Sequence, residues 1–348
     1  MTLIDAYDYP LPPELIARYP ASPRDASRLL VVDRRHGSWR QASFGDLPEI
    51  LDDGDVLVVN DTRVFPARLL GVKATGGKVE FLLHHLPLKE NGAASARVRA
   101  SYRARRRLKA GQQVACGADL IADILDVPEP GVAEVALRAA DGDVLTALHT
   151  WGLTPLPPYL RREAEAGDRQ DYQTRFAART GAVACPTAGL HFTDETMARL
   201  ARRGVETATV TLHVGPGTFL PVRHEDYTQH TLLSEQFELS PETAGRLNAA
   251  RVAGKRLVAV GTTTVRVLEH CAGPEGFQAQ SGACNLYIYP GYRFQAVDRL
   301  LTNFHLPRST LLLLVAAFAG RDLILAAYQA ATEARYRFYS YGDCMLIL

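Results

Sequence analysis

Apolar and polar positions along the chain change period several times, and each change marks an element. Residues 28–33 and 56–60 read as strands, the second reached through the turn Asp53-Gly54-Asp55. From about Arg63 short β-type runs alternate with turns, at 68–73, 78–86, 96–102, 112–115, 120–127 and 132–138. Gly76-Gly77, Asn91-Gly92, Lys109-Ala110-Gly111, Glu129-Pro130-Gly131 and Asp141-Gly142 separate them. Six such runs without an intervening helix predict closure into a barrel. Helix and strand patterns alternate again after Trp151. The expected fold is therefore an α/β main domain (1–62 and 152–348) with an inserted small antiparallel β-barrel of about six strands (63–151).

In the main domain, Thr193 is a good N-cap for a helix that carries Asp194 and Glu195 in its first turn, spaces Met197 and Leu200 on one face, and stops at Gly204. A β-rich run at 205–214 follows. It ends in Gly215-Pro216-Gly217-Thr218-Phe219, a composition that lets backbone approach a ligand closely and stay stiff. Residues 257–260 read as a buried strand, Gly261 as a turn, and Thr262-Thr263-Thr264 as a helix start. Free N–H groups at such a start, beside hydroxyls, hold a carboxylate or a ribose hydroxyl. Plain connections have the same pattern. A short helix is expected at Leu11-Pro12-Pro13-Glu14, and Ser240 with Pro241 starts one that ends near Gly254. Ser309 caps an apolar helix ending at Gly320, and Asp322 caps the last helix. Residues 285–289, 298–301 and 344–348 read as strands, and 154–179 as a surface connector.

Composition narrows the class. With 348 residues, 47% of them apolar and 22% charged, the chain is of ordinary globular type with length for roughly two domains. Its start lacks a basic stretch followed by an apolar one, and the longest apolar run, 311–319, is about half a membrane span. Cysteines at 116, 185, 271, 284 and 344 form neither a disulfide framework nor a CxxC metal site. A cytoplasmic protein without a membrane or metal partner is expected, with monomer as the default state.

The net charge of +1 hides an uneven distribution. Between 97 and 109 stand Arg97, Arg99, Arg103, Arg105, Arg106, Arg107 and Lys109 with no acid. From 119 to 143, seven acids face only Arg138. One side of the barrel should then attract phosphates while another repels them. A solvated edge that blocks aggregation is the alternative. Gly77 stands where a phosphate loop needs lysine, and no dinucleotide fingerprint, GxSxG elbow or HExxH pair occurs. No ATPase is implied, and a nucleotide hydrolase is disfavoured.

Several polar loops remain: Pro186-Thr187-Ala188-Gly189-Leu190-His191-Phe192-Thr193, His213-Val214-Gly215-x-Gly217-Thr218-Phe219, Gly261-Thr262-Thr263-x-Val265-Arg266 and Thr302-Asn303-Phe304-His305-Leu306-Pro307-x-Ser309-Thr310. With Arg24-Asp25-x-Ser27-Arg28, Asn60-Asp61-Thr62-Arg63 and the tail Tyr336-Arg337-Phe338-Tyr339-Ser340-Tyr341-Gly342-Asp343, they resemble the S-adenosylmethionine:tRNA ribosyltransferase-isomerases of queuosine biosynthesis. The likeness runs from near one terminus to the other.

The resemblance implies transfer and isomerisation of the ribosyl part of S-adenosylmethionine onto 7-aminomethyl-7-deazaguanine at the tRNA wobble position. Adenine and methionine leave, and epoxyqueuosine remains. S-adenosylmethionine is then a substrate, and no cofactor is required. The positive sulfur acidifies the adjacent 5′ carbon, so the site needs a base, an acid for adenine, and exclusion of water. The resemblance places Asp61, His191, His213, Glu235, His305 and Asp343 as candidate proton-transfer groups, with roles unassigned. Arg63, Thr187, Thr218, Phe219, Thr262, Thr263, Arg266, Asn303, Ser309 and Thr310 are candidate substrate contacts, Arg266 for the methionine carboxylate. A hydrogen-bonded structural role is the alternative for each histidine. Arg103, Arg105, Arg106, Arg107 and Lys109 are the candidate tRNA contacts. Leu233 stands where the family usually has histidine, which argues against an indispensable base there. A noncatalytic tRNA-binding protein is the competing reading; it has no need of so many polar loops.

Overall fold

The computed structural model describes residues 2–89, 95–219, 222 and 224–348, with the side chains of 89, 218 and 219 left out. A nine-stranded sheet organises the larger part. From edge to edge it runs Gln280–Cys284, Glu235–Leu239, Glu206–Leu212, Asp55–Asn60, Arg256–Val260, Arg299–Asn303, Cys344–Ile347, Arg28–Asp33 and Ser38–Ser43. The four strands from Glu206–Leu212 to Arg299–Asn303 are mutually parallel, and Cys344–Ile347 returns antiparallel beside them. Both faces are covered, which explains the near-continuous apolar runs. Val56, Val58, Leu257 and Ala259 face one core with the helices Pro241–Val252, Thr262–Cys271, Thr310–Ala319 and Arg321–Glu333. Leu57, Val59, Val258 and Val260 face another with Phe44, Phe192 and Leu200.

Six antiparallel strands close into the expected barrel: Arg68–Lys73, Lys78–Leu83, Ser95–Ala104, Gln113–Ala115, Leu120–Glu129 and Val132–Ala139. Closure is made by the pairing of Ser95–Ala104 with Val132–Ala139. Ala96, Val98, Ala100 and Tyr102 point inward, and Arg97, Arg99 and Arg103 outward, the period-two alternation of a strand with one wet face. The helix Val144–Trp151, missed in the sequence, is capped by Asp143, which accepts from Leu145 and Thr146 N–H. It sets Val144, Ala147 and Leu148 into the barrel core.

Four expectations change. Residues 285–289 are not a strand; the ladder forms upstream at Gln280–Cys284, and Leu286 and Ile288 satisfy their apolar pattern by packing on the main core. Asp322 lies in the first turn of Arg321–Glu333 rather than at its cap, which is Gly320. The opening helix is a 3-10 turn, Pro13–Leu15. The charges of the barrel are also less separated than expected. Barrel closure sets Glu134 opposite Arg99, and Arg99 pairs with Glu129 at 2.7 Å, so the acidic stretch neutralises part of the basic one. Among the described residues, no single helix is long and apolar enough to cross a membrane.

Candidate active site

The strands Asp55–Asn60, Arg256–Val260 and Arg299–Asn303 end on the same side, and a cavity of about 250 Å³ lies at their carboxyl ends. Open α/β sheets bind ligands there because loops and helix starts converge on that edge. Gly261 makes the turn from strand to helix with φ of 86°, a conformation that glycine adopts without strain. The cavity thereby receives Gly261, Thr262 and Thr263. Ser309 caps Thr310–Ala319 by accepting from Leu312 N–H at 3.2 Å, so a second helix start reaches the same space. Thr187, Thr302, Asn303, His305, Arg308 and Ser340 complete the polar lining, and Tyr159, Phe304, Leu306 and Tyr339 much of the apolar one. No carboxylate is among the described residues that line it.

Behind this wall lies a chain of buried hydrogen bonds. Thr187 Oγ1 donates to Asn303 Oδ1 at 3.1 Å, and Asn303 Nδ2 donates to the Tyr339 carbonyl at 3.1 Å. The same amide nitrogen meets His191 Nε2 at 3.2 Å, and His191 Nδ1 meets Ser27 Oγ at 2.8 Å. Burial holds His191 down at about 3, with Arg337 and Arg24 adding to the effect. His305 Nε2 lies 3.0 Å from Thr302 Oγ1, and burial holds this imidazole too at about 3. Both histidines are therefore neutral at pH 7.

Of the other candidates, Thr310 lines a small adjoining cleft with Leu233, Glu235 and Arg266, next to Leu311, which borders both spaces. Glu235 is buried and accepts from Arg266 Nη1 and, at 2.8 Å, from Gly215 N–H. Arg266 also donates to the carbonyls of Leu286 and Cys284. Three of its N–H groups are thus committed inside the protein, where the guanidinium holds Glu235 and through it the 213–215 loop. His213 Nδ1 meets Thr62 Oγ1 at 2.7 Å, and its ring lies 2.7 Å from where a Cβ on Gly181 would stand, so this histidine is packed in place. Burial lowers its pKa. Asp61 accepts from Thr211 Oγ1 at 2.6 Å, with burial raising its pKa; neither His213 nor Asp61 lines the cavity.

Asp343 and Arg63 also stand away from it. Asp343 accepts from the N–H groups of Arg28 and Arg337 at 2.9 and 2.8 Å, tying the tail to the first strand of the chain. Arg63 donates to the Ala177 carbonyl at 2.6 Å. The side chains of Thr218 and Phe219 lie outside the described residues. Sequence reading missed Tyr159, Cys185, Thr302, Arg308, Tyr339 and Ser340 as lining residues. All but Tyr159 and Cys185 sit in motifs already singled out, so the signal was available. Tyr159, on the supposed connector, packs its ring 4.1 Å from that of Tyr339 and hydrogen-bonds Ser340.

On the barrel, Arg103, Arg105, Arg106, Arg107 and Lys109 are exposed on the end of Ser95–Ala104 and the turn after it. Arg68 joins the barrel to the connector through Glu163 at 2.7 Å. Among the described residues, no group of three or more histidine, cysteine, aspartate or glutamate side chains is placed to hold a metal ion.

Comparison with known proteins identifies the family. The family model described as queuosine biosynthesis protein matches residues 4–347. The S-adenosylmethionine:tRNA ribosyltransferase-isomerase of Anaeromyxobacter dehalogenans (strain 2CP-1) is 49% identical over 342 residues, covering 98% of each chain. That of Trichlorobacter lovleyi is 46% identical over 348 residues, covering 99% of this chain and 100% of the other. The crystal structure of S-adenosylmethionine tRNA ribosyltransferase from Thermotoga maritima is 37% identical, covers 99% of this chain and 100% of its own, and superposes with a TM-score of 0.56. The chain belongs to the S-adenosylmethionine:tRNA ribosyltransferase-isomerase family of queuosine biosynthesis proteins.

Proposed function

We propose that this protein transfers and isomerises the ribosyl moiety of S-adenosylmethionine onto 7-aminomethyl-7-deazaguanine at the wobble position of tRNA. Epoxyqueuosine-tRNA forms, and adenine and methionine are released. The observation that carries the reading is the cavity at the carboxyl edge of the sheet, which receives residues from all four family loops and from the tail. S-adenosylmethionine enters it as substrate, with its carboxylate toward the starts of Thr262–Cys271 and Thr310–Ala319, whose dipoles favour an anion. Enclosure by Tyr159, Phe304, Leu306 and Tyr339 keeps water from the reacting sulfonium. A protein that only held tRNA would have no use for such a space.

Of the six proton-transfer candidates, His305 alone lines the cavity. Its burial-lowered pKa makes it a weak base in the unliganded site, and a bound carboxylate nearby would raise its basicity. Glu235 and Arg266 hold the neighbouring loop as an ion pair. The chain works as a cytoplasmic monomer, with residues 63–151 as an inserted unit whose exposed Arg103, Arg105, Arg106, Arg107 and Lys109 meet tRNA phosphates. The wobble base turns outward from its stack into the main domain. Incubation with S-adenosylmethionine and tRNA bearing the deazaguanine tests the reading. Adenine release equal to tRNA modification is expected; adenine release without modification, or neither, would refute it.

A further inference from the structure

The hydrogen-bond chain behind the cavity has a definite polarity. A backbone carbonyl only accepts, so the group facing Tyr339 O must be the Asn303 nitrogen, 3.1 Å away. The second hydrogen of that nitrogen points at His191 Nε2, which must then be unprotonated. His191 therefore carries its hydrogen on Nδ1 and donates it to Ser27 Oγ. The opposite edge of the amide carries Oδ1, which meets Thr187 Oγ1 at 3.1 Å, and both residues line the cavity. Since the Thr187 hydroxyl spends its only hydrogen on Asn303, what the pair offers a ligand is two acceptor oxygens side by side. Ser27 and His191 are buried at 2% and 4% exposure and neither lines this cavity; both border a much smaller one on the far side of Ser340.

We infer that Asn303 Oδ1 and Thr187 Oγ1 receive the vicinal hydroxyls of the ribose of S-adenosylmethionine, and that Ser27 and His191 are positioning residues that keep this acceptor pair turned to the ligand. Adjacent acceptors at this spacing match two neighbouring hydroxyl donors on one ring. Phe44, its ring tilted by 30° and centred 5.2 Å from that of His191, packs against the imidazole and limits its movement. His191 thus acts through Asn303 and is not the base. The inference rests on the reading of the cavity as the S-adenosylmethionine site.

Calorimetric binding of S-adenosylmethionine and of its counterparts lacking the 2′ or the 3′ hydroxyl tests it, with the full-length chain. The intact ribose should bind the unsubstituted protein roughly tenfold more tightly than the weaker deoxy form, the worth of one hydrogen bond. His191→Gln, which donates to Ser27 and accepts from Asn303 as the imidazole does, should keep that preference. His191→Phe should reduce it to about twofold or less, and if that variant does not fold, Ser27→Ala, which strips the acceptor from Nδ1, should show the same direction of change. Unaltered preference in a folded His191→Phe or Ser27→Ala variant overturns the inference, as does absence of any preference in the unsubstituted protein. Failure of S-adenosylmethionine itself to bind is a separate result: it overturns the reading of the cavity and the inference with it.

Discussion

The barrel keeps its chemistry outside and the open sheet keeps its chemistry inside. In Ser95–Ala104 the inward residues are Ala96, Val98, Ala100 and Tyr102, and the charges stand in water. At the carboxyl edge of the sheet, Asn60, His191, Glu235, Thr262, Asn303 and His305 are all buried. A closed barrel pairs the backbone groups of its strands with one another, so its interior needs only apolar filling. An open sheet ends in loops and helix starts with unspent N–H groups, so polar side chains are buried there with partners. The two regions should therefore respond differently to substitution, charge and pH.

The largest contrast is expected between two ion pairs. Glu235→Ala leaves Arg266 buried and unpaired, and should lower stability by about 3–5 kcal/mol in urea melts. Joint replacement by Glu235→Leu and Arg266→Met should recover most of that, whereas Arg99→Ala on the barrel, where both partners are wet, should cost under about 1 kcal/mol.

Acid comes next. His191 and His305 have pKa values of about 3 in the folded protein against the ordinary 6.5, so below pH 6.5 the unfolded chain binds protons that the native one does not. Their neutral burial is fully compatible with stability above 6.5, and stability falls as pH drops from there toward 3. His191→Gln should flatten that decline by roughly 1 kcal/mol per pH unit between pH 6 and 4, measured by denaturation at each pH.

Charge on the barrel gives a smaller effect, specific to RNA. Replacing Arg105, Arg106 and Arg107 by Ala together should weaken tRNA binding about tenfold and reduce the salt slope by about two to three, without changing S-adenosylmethionine affinity. Unchanged tRNA affinity and unchanged salt slope would make the basic turn a merely solvated one. Smallest of all, Tyr159→Phe removes the hydrogen bond to Ser340 and should cost about 1 kcal/mol in stability.

The sequence by itself determined the elements whose signals are local. Period-two alternation and glycine-bearing turns specified the six barrel strands, and Thr193, Ser240 and Ser309 marked helix starts where they occur. It also supplied most of the cavity, because Thr187, Thr262, Asn303, His305 and Ser309 lie in motifs whose company is distinctive. Other local signals failed, two of them at strands. Residues 285–289 look like a strand because burial selects the same apolar residues with or without a ladder partner. The edge strand Ser38–Ser43 is exposed on nearly every residue, so no alternation announced it. Only the tertiary structure decided which polar groups meet. Arg266 binds Glu235 across 31 positions, Asn303 and His191 meet across 112, and Arg99 faces Glu134 through barrel closure. Those partnerships turn carboxylates and imidazoles that look alike in sequence into ion pair, anchor or ligand contact, because a hydrogen bond depends on distance in space, which the order of residues along the chain does not record.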